Sequence, residues 1–201
     1  MIIGPKYKIA RRLNAPVFEK TQTQKYAISQ TKKSKGDRRR GPRSDFGAQL
    51  LEKQKARFSY ALTEKQFANY VKKALAKKGS NQGILFDSLE RRLDNVVLRA
   101  GFASTRLAAR QMVSHGHIMV NGKRVTIPSY QVKPGDILEV REGSKTKALF
   151  NGLDERLKNF QAPTWLVINP GEKSISVKGA PAFGSQELLF DIDAVLEFYS
   201  R

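Results

Sequence analysis

Residues 91–141, which decide the fold of this chain, read RRLDNVVLRAGFASTRLAARQMVSHGHIMVNGKRVTIPSYQVKPGDILEVR. An apolar series with helical spacing enters this stretch from the residues before it and runs to Gly101, which tolerates the backbone conformation that ends a helix. Asp87 and Glu90 stand ahead of the series with the spacing of a capping box. The pattern predicts a first helix that begins near Asp87 and ends at Gly101.

A second helix and a hairpin follow in the same stretch. Ser104 or Thr105 can cap the helix, and Gly116 closes it. Asn121-Gly122 suits the tight turn of a hairpin, and a further alternating strand follows. The stretch therefore predicts two short helices packed on a small antiparallel sheet.

Cationic side chains fall on two adjacent elements of this predicted fold. Arg106 and Arg110 are four residues apart, so they share one face of the second helix. Lys123 and Arg124 lie on the hairpin, and His115 lies on the helix end beside it. A solvated face explains most such arginine pairs, but the agreement of two elements favours a phosphate backbone as the partner. The candidate RNA-binding residues of the stretch are Arg92, Thr105, Arg106, Arg110, Ser114, His115, Lys123 and Arg124.

The same stretch resembles a known module. RRLDNVV followed by STRLAARQMVSHGHIMVNGKRV is similar to the S4 RNA-binding domain. That family adds the module to ribosomal proteins, tRNA synthetases and RNA pseudouridine synthases. The resemblance implies binding to RNA, but the module alone does not say which of these proteins carries it.

The charge of the chain indicates the same class of partner. Its 201 residues include 37 Lys+Arg and 18 Asp+Glu, a net charge of +19 that a polyanion would relieve. The excess is uneven, with net charges of +10, +6 and +5 over residues 1–50, 51–100 and 101–150 and −2 over the last 51 residues. We therefore expect RNA on the first three quarters of the chain and another partner on the last quarter.

Several other classes of site are disfavoured. The chain has no cysteine, so a disulfide framework and a thiolate metal site are excluded. His115 and His117 could bind a metal, but no third ligand pairs with them, so contact with RNA is favoured. No signal peptide is evident, and no segment approaches the roughly 20 apolar residues of a membrane helix. We expect a cytoplasmic protein without metal, cofactor, small-molecule substrate or membrane contact.

The N-terminal 43 residues look irregular and basic. Lys6, Lys8, Arg11 and Arg12 come first, and a polar stretch leads to a dense basic run. Residues 1–43 are therefore predicted to be a basic arm that orders on RNA, with a merely solubilising tail as the alternative.

Helical patterns begin after the arm. Ser44 can cap a helix in which Lys53, Lys55 and Arg57 face outward as candidate RNA ligands. Thr63 begins a second helix, with Gln66 completing a capping box. The lysines at its end fit either RNA binding or complementation of the helix dipole; they are Lys72, Lys73, Lys77 and Lys78.

The last 51 residues continue the alternation of elements. A helix is predicted over residues 151–160, two strands over 165–168 and 174–177, and a terminal helix over 191–199. Because 51 residues bury little surface alone, we expect them to return to the first helical domain. The predicted fold class is α+β, with an arm, a helical domain and an inserted S4 domain. The predicted domains are residues 1–43, 44–88 with 151–201, and 89–150.

A second resemblance spans nearly the whole chain. GPKYKIARR, SDFGAQLLEKQKARFSYALTEKQFANY, the central module, PTWL and LEFYSR stand in order and are similar to bacterial-type small-subunit ribosomal protein four. The resemblance implies a structural constituent of the small ribosomal subunit and a primary binder of 16S rRNA that nucleates assembly of the subunit body. It also implies a place beside the channel through which mRNA enters. Protein five of the same subunit is the implied partner in decoding accuracy, with protein three as a second candidate neighbour.

Residue roles follow from the resemblance. In addition to the residues of the central module, it implies rRNA contacts for the cations that begin the arm and for those of the helix capped by Ser44. These cations are Lys6, Lys8, Arg11, Arg12, Lys53, Lys55 and Arg57. The residues that would face mRNA are Arg38, Arg39, Arg40 and Arg43. The residues that would face a neighbouring protein are Gln49, Glu197, Phe198 and Tyr199. Some family members hold zinc through cysteines in the arm, and this chain departs from them because it has none.

Two other functions compete with this interpretation. An enzyme would need a catalytic domain, and no segment outside the module is long enough or carries a nucleotide-binding or catalytic motif. A free RNA-binding regulator or RNA chaperone shares all of the electrostatics, so charge does not exclude it. Only the motifs near both ends favour the ribosomal protein, whose subunit could belong to a cytoplasmic or an organellar ribosome.

Overall fold

The computed structural model describes residues 3–33, 44–158, 160–184 and 188–200. The chain forms two compact units. The helical unit comprises Met1–Leu85 and Gly184–Arg201, and the sheet unit comprises Phe86–Phe183. The α+β class is confirmed, with helices in both units and an antiparallel sheet in the second.

The described part of the N-terminal segment is folded. Helix α1 spans Lys6–Leu13, a 3-10 turn spans Glu19–Thr21, and α2 spans Gln24–Lys33. The apolar cluster that joins them contains Ala10, Leu13, Ala15, Val17, Phe18 and Tyr26, with Leu51 and Phe58 packed against it. The prediction of an irregular arm is therefore wrong for residues 3–33, because these side chains bury apolar surface instead of exposing it.

The rest of the helical unit follows the predicted starts. Helix α3 spans Asp45–Ser59, α4 spans Glu64–Leu75, and α9 spans Ile192–Ser200. Ser44 caps α3 by accepting a hydrogen bond from the backbone N–H of Gly47 at 3.3 Å. The capping box at the start of α4 is present in both directions. Helix α9 packs against α3 and α4 through Ile192, Val195 and Leu196, which are buried.

The predicted first helix of the central stretch is two helices. Helix α5 spans Asn81–Glu90 and α6 spans Leu93–Arg99, with Arg92 extended between them. Glu90 therefore ends a helix, and the predicted capping box is wrong. The break arises because the backbone here pairs with a loop, in which the carbonyl of Tyr130 accepts a hydrogen bond from the N–H of Leu93 at 2.9 Å.

The sheet unit is built on five antiparallel strands. Helix α7 spans Arg106–Ser114 and precedes β1 at Ile118–Val120, β2 at Lys123–Arg124 and β3 at Ile137–Val140. Helix α8 at Leu153–Lys158 then leads to β4 at Leu166–Asn169 and β5 at Ser174–Val177. The strand order is β2-β1-β3-β5-β4. One apolar core joins α6 and α7 to the sheet.

The expected return of residues 151–183 to the helical domain is wrong. Strand β5 pairs with β3, and Leu138 lies opposite Ile175. Trp165, Leu166 and Ile175 belong to the same buried cluster as Leu93 of α6. The two strands extend the sheet because pairing with β3 buries their apolar side chains and satisfies an edge that would otherwise be open. The segment Gly184–Arg201, which contains α9, does return to the helical unit.

Within the described ranges, no helix combines the length and the apolar character that crossing a membrane requires.

Candidate RNA-binding surface

The two arginines of α7 are anchored on α6. Thr105 caps α7 by accepting a hydrogen bond at its hydroxyl oxygen from the N–H of the residue three positions on, at 3.1 Å. The next residue, Arg106, donates from Nε to Oδ1 of Asn95 at 3.2 Å. Arg110 donates from Nε and Nη2 to Oδ2 of Asp94 at 2.9 and 2.8 Å. The expected cationic face therefore exists, and adjacent residues of α6 hold its two side chains.

Two buried carboxylates lie behind this face. Glu90 is 0% exposed and accepts hydrogen bonds from Arg99 at 3.0 and 2.9 Å. Asp94 is 2% exposed and also pairs with Arg92 at 2.8 Å. Since Arg92 itself is 3% exposed, its side chain holds the fold together and is a poor candidate for contact with RNA. The sequence did not reveal this network, although four arginines near two carboxylates were visible.

The hairpin lies beside the end of α7. Arg124 donates from Nη2 to the carbonyl of His115 at 3.2 Å, and its guanidinium covers Gly116. Lys123 is exposed on the same strand, as are Ser114 and His115 at the helix end. The structure thus brings together the helix and hairpin candidates that the sequence placed on adjacent elements.

Further cations lie near His117, a buried histidine beside the hairpin. His117 is 7% exposed, and its Nδ1 lies 2.9 Å from Oγ of Ser144. Burial lowers the pKa of His117, and the charges of Lys147, His115, Arg141 and Arg124 lower it further. Lys147 and Arg141 were missed by the sequence analysis, although both lie close after the last strand of the predicted module. We name this region, from α7 through the hairpin to Arg141 and Lys147, the cationic surface.

The paired histidines do not complete a metal site. The ring centroids of His115 and His117 lie 5.9 Å apart. Among the described residues, no group of three or more His, Cys, Asp or Glu side chains is arranged to hold a metal ion.

The candidates on α1 remain on one surface helix. Lys8 and Arg12 are exposed, while the ammonium of Lys6 lies 6.0 Å from the ring centroid of Phe18. Arg11 donates from Nε to the backbone carbonyl of its own helix at Tyr7, at 3.3 Å. All four cations are thus displayed by a folded element.

The candidates on α3 are engaged inside the helical unit. Lys53 is 7% exposed, lies 2.8 Å from Oε1 of Glu64, and covers the ring of Phe198. Lys55 pairs with a carboxylate of its own helix at 2.6 Å, and Arg57 bonds to a glutamine of its own helix at 3.0 and 2.7 Å. These three side chains stabilise the unit, and Lys53 is too buried to serve as an RNA ligand.

The lysines at the end of α4 are exposed in the structure. Both interpretations of them, as dipole complements or as RNA ligands, stay predictions.

The residues expected at a protein interface make contacts within the helical unit. Gln49 donates to Glu197 at 2.8 Å, and the hydroxyl of Tyr199 donates to Glu64 at 2.8 Å. Phe198, expected to be available to a neighbour, has a half-buried ring 5.5 Å from that of Phe46, and its place at an interface stays a prediction. The arginines expected to face mRNA lie outside the described residues.

The fold and the cationic surface define the class of an S4-type RNA-binding protein. Residues 91–138 match the S4 domain family, and residues 1–90 match the family described as Ribosomal protein S4/S9 N-terminal domain. The resemblance drawn from the sequence is thereby confirmed over both parts of the chain.

Relatives identify the particular family. Small ribosomal subunit protein uS4 of Hahella chejuensis is 42% identical over 202 residues, 99% of this chain and 98% of the relative. The proteins of the same name from Roseiflexus castenholzii and Chlorobium limicola are 44% identical over 203 residues and 38% identical over 194 residues. These matches cover 99% and 96% of this chain and 98% and 96% of the two relatives. The chain belongs to the small ribosomal subunit protein uS4 family, whose members are structural and not enzymes.

Proposed function

We propose that this protein is a structural constituent of the small ribosomal subunit and a primary binder of 16S rRNA that nucleates assembly of the subunit body. Membership in the uS4 family supports the place in the subunit. The cationic surface supports direct binding to RNA. In this proposal the surface contacts phosphates of the rRNA backbone, since arginine forks match phosphate geometry.

The cationic surface is the observation that carries the proposal. It joins side chains from α7, the hairpin and the segment after β3, so that cations distant in sequence share one region. Burial is the main cause of the lowered pKa of His117, and the charges of Lys147, His115, Arg141 and Arg124 add to it. A polyanion that neutralises these cations would release counterions and bind in a salt-dependent way.

We also propose the finer roles implied by the family. The arginines of the basic run would face mRNA where it enters the subunit, and the helical unit would contact protein five, with protein three as a second candidate. The family likeness and the density of the basic run support the first role. Phe46, which is 51% exposed beside α9, offers apolar surface for the second.

The binding proposal is tested by titrating purified protein into 16S rRNA at several salt concentrations. If roughly 6–10 phosphates are contacted, affinity should fall by about three to five decades between 50 and 200 mM salt, with the duplex-DNA relation as an upper guide. Arg106→Ala should reduce the salt slope by about one. The matched control is Lys55→Ala, which removes one positive charge that Glu52 already pairs.

A flat salt response in the wild-type protein would contradict the proposal. The alternative function, a free regulator or RNA chaperone, predicts the same titration but a different location. After a high-salt wash, a structural constituent should sediment with the small subunit, whereas a free regulator should remain at the top of the gradient.

A further inference from the structure

We propose that Asp94 is a positioning residue for RNA binding, which holds the guanidinium of Arg110 in place for a phosphate. The proposal rests on the proposed function, because it assumes that the cationic surface contacts RNA. It assigns a binding role to a negative charge, which direct electrostatics would count as a hindrance.

The geometry of the carboxylate carries the inference. Asp94 is 2% exposed, and its Oδ2 accepts both Nε and Nη2 of Arg110 at 2.9 and 2.8 Å. Arg92 braces it from the other side, donating from Nε to Oδ1 at 3.0 Å and from Nη2 to Oδ2 at 2.8 Å. Because Arg92 is itself buried, the carboxylate is fixed from within the unit, while the side chain of Arg110 is 20% exposed.

Asn95, the residue after Asp94 on α6, anchors Arg106 in a similar way. Asn95 donates from Nδ2 to the carbonyl and to Oε2 of Glu90, both at 3.0 Å. These two bonds fix which end of the amide faces Arg106, so that Oδ1 accepts from its Nε at 3.2 Å. Two consecutive residues of α6 therefore anchor two arginines that are one helical turn apart on α7.

Anchoring changes what binding costs. A free arginine loses much rotamer freedom when a phosphate fixes it, whereas a guanidinium that is already held loses less. Hydrogen bonds from one edge of the planar fork also fix the direction in which the rest of the group projects. The two effects make affinity depend on Asp94 even though its charge repels phosphate.

The test asks whether Asp94→Asn raises or lowers the affinity for 16S rRNA. Asp94→Asn removes a negative charge, so electrostatics alone predicts tighter binding to 16S rRNA. Our proposal predicts the reverse, a loss of about tenfold, which lies within the range of measured couplings between contacting residues. The slope of affinity against salt should stay unchanged, since no phosphate contact is removed, whereas Arg110→Ala should lower it by about one.

A double-mutant cycle ties the effect to Arg110. In the Arg110→Ala background, Asp94→Asn should cause no further loss of affinity. A control for charge is Glu142→Gln, which removes a carboxylate paired with Lys145 at 2.7 Å outside this network and should not weaken binding. Equal or tighter binding by Asp94→Asn, or the same loss in both backgrounds, would overturn the proposal.

A second variant guards against loss of the fold, because Asp94→Asn weakens the ion pair of buried Arg92. Arg110→Lys keeps the charge and Asp94 but lacks the fork that can hold the carboxylate and project toward a phosphate together. It should bind more weakly than wild type with the same salt slope, and wild-type affinity in this variant would also overturn the proposal. Failure of the wild-type protein to bind would instead refute the proposed function.

Discussion

Gln49 and Glu197 are joined by a hydrogen bond of 2.8 Å between Nε2 and Oε2, although 148 positions separate them along the chain. The bond ties α9 to α3. Gln49 is 8% exposed, so this contact lies at the edge of the packed interior of the helical unit. Two residues expected to face another protein thus bond to each other within the chain.

Removal of residues 197–201 should destabilise the helical unit. The deletion removes the Glu197 bond to Gln49, the Tyr199 bond to Glu64 and the ring contact of Phe198. Hydrogen bonds and aromatic contacts of this kind together suggest a loss of about 2–4 kcal/mol, to be measured by urea unfolding. Affinity for isolated rRNA should change by less than about 1 kcal/mol, the scale of an ordinary surface change.

The same deletion should raise miscoding in ribosomes that carry it, if the helical unit contacts protein five. The matched control is Glu197→Gln, which retains an acceptor for Gln49 and should leave stability close to wild type. Wild-type accuracy in misreading reporters, or a large loss of rRNA affinity, would count against the assigned interface.

Acid should weaken the helical unit through Glu64. Burial alone would raise the pKa of Glu64, but hydrogen bonds from Lys53 and Tyr199 and the charges of Lys53 and Arg57 outweigh it, so the pKa lies below its ordinary value of 4.5. A carboxyl with a lowered folded pKa stabilises the protein above pH 4.5, and this contribution is lost as pH falls through the folded pKa. Unfolding titrations of wild type and Glu64→Gln should therefore converge in acid.

Alkali should weaken the hydrogen bond between Tyr199 and Glu64 by deprotonating the hydroxyl of Tyr199. Burial and then the hydrogen bond to Glu64 raise the pKa of Tyr199 above its ordinary value of 10.0. The protonated hydroxyl therefore stabilises the fold fully below pH 10.0, and this contribution is lost as pH rises through the folded pKa. Tyr199→Phe should abolish this alkaline loss. An alkaline profile identical to wild type in that variant would show that another group is responsible.

Phe18→Ala should show that the N-terminal segment is structural. Phe18 is 4% exposed, and its ring lies edge-on to that of Phe58 at 5.8 Å between centroids. Truncation of a buried phenylalanine costs about 3–5 kcal/mol, measurable by thermal or urea unfolding. A control is Ile28→Ala, since Ile28 is 57% exposed on α2. Equal stability of both variants would restore the interpretation of residues 3–33 as an arm.

Gly116→Ala should weaken RNA binding by displacing Arg124. A Cβ at Gly116 would lie 2.0 Å from Nε of Arg124, so the guanidinium must leave the end of α7. The backbone φ of +69° adds a cost of about 1–2 kcal/mol in stability. Gly122→Ala is a close control, because its φ is +74° and a Cβ there meets nothing within 4 Å.

Both variants should therefore lose similar stability, but only Gly116→Ala should lose affinity for 16S rRNA. Filter binding at constant salt measures the difference. Equal affinities would mean that the position of Arg124 on the helix end does not matter for RNA.

The starts of α3, α4 and α7 could be predicted from the sequence because their signals are local. Ser44, Thr63 and Thr105 each accept a hydrogen bond from a backbone N–H three residues ahead, so a window of four residues contains both partners. The cationic face of α7 was predictable for a similar reason, since helical period alone places Arg106 and Arg110 together.

The errors concern partners that are distant along the chain. The alternation of apolar residues predicted a strand over 174–177, but it does not indicate which strand this one pairs with. Its partner, β3, was assigned to another domain. The resemblance implied an interface role for Phe198 but could not reveal that its ring lies beside Phe46 of α3. Glu90 was misplaced because a helical period continues across a break that a distant loop imposes.

The discontinuous helical unit also sets an order of events during synthesis. Helix α9 follows the whole sheet unit in the chain, so the cationic surface can be complete before Phe67 and Tyr60 meet α9 and Phe190. At translation rates of roughly 5–20 residues per second, synthesis of the sheet unit between α4 and α9 takes on the order of 5–20 seconds. A newly made chain can therefore present a finished surface for RNA while the apolar side of α3 and α4 is still uncovered. Packing of α9 then covers that apolar side and removes it as a binding site for chaperones.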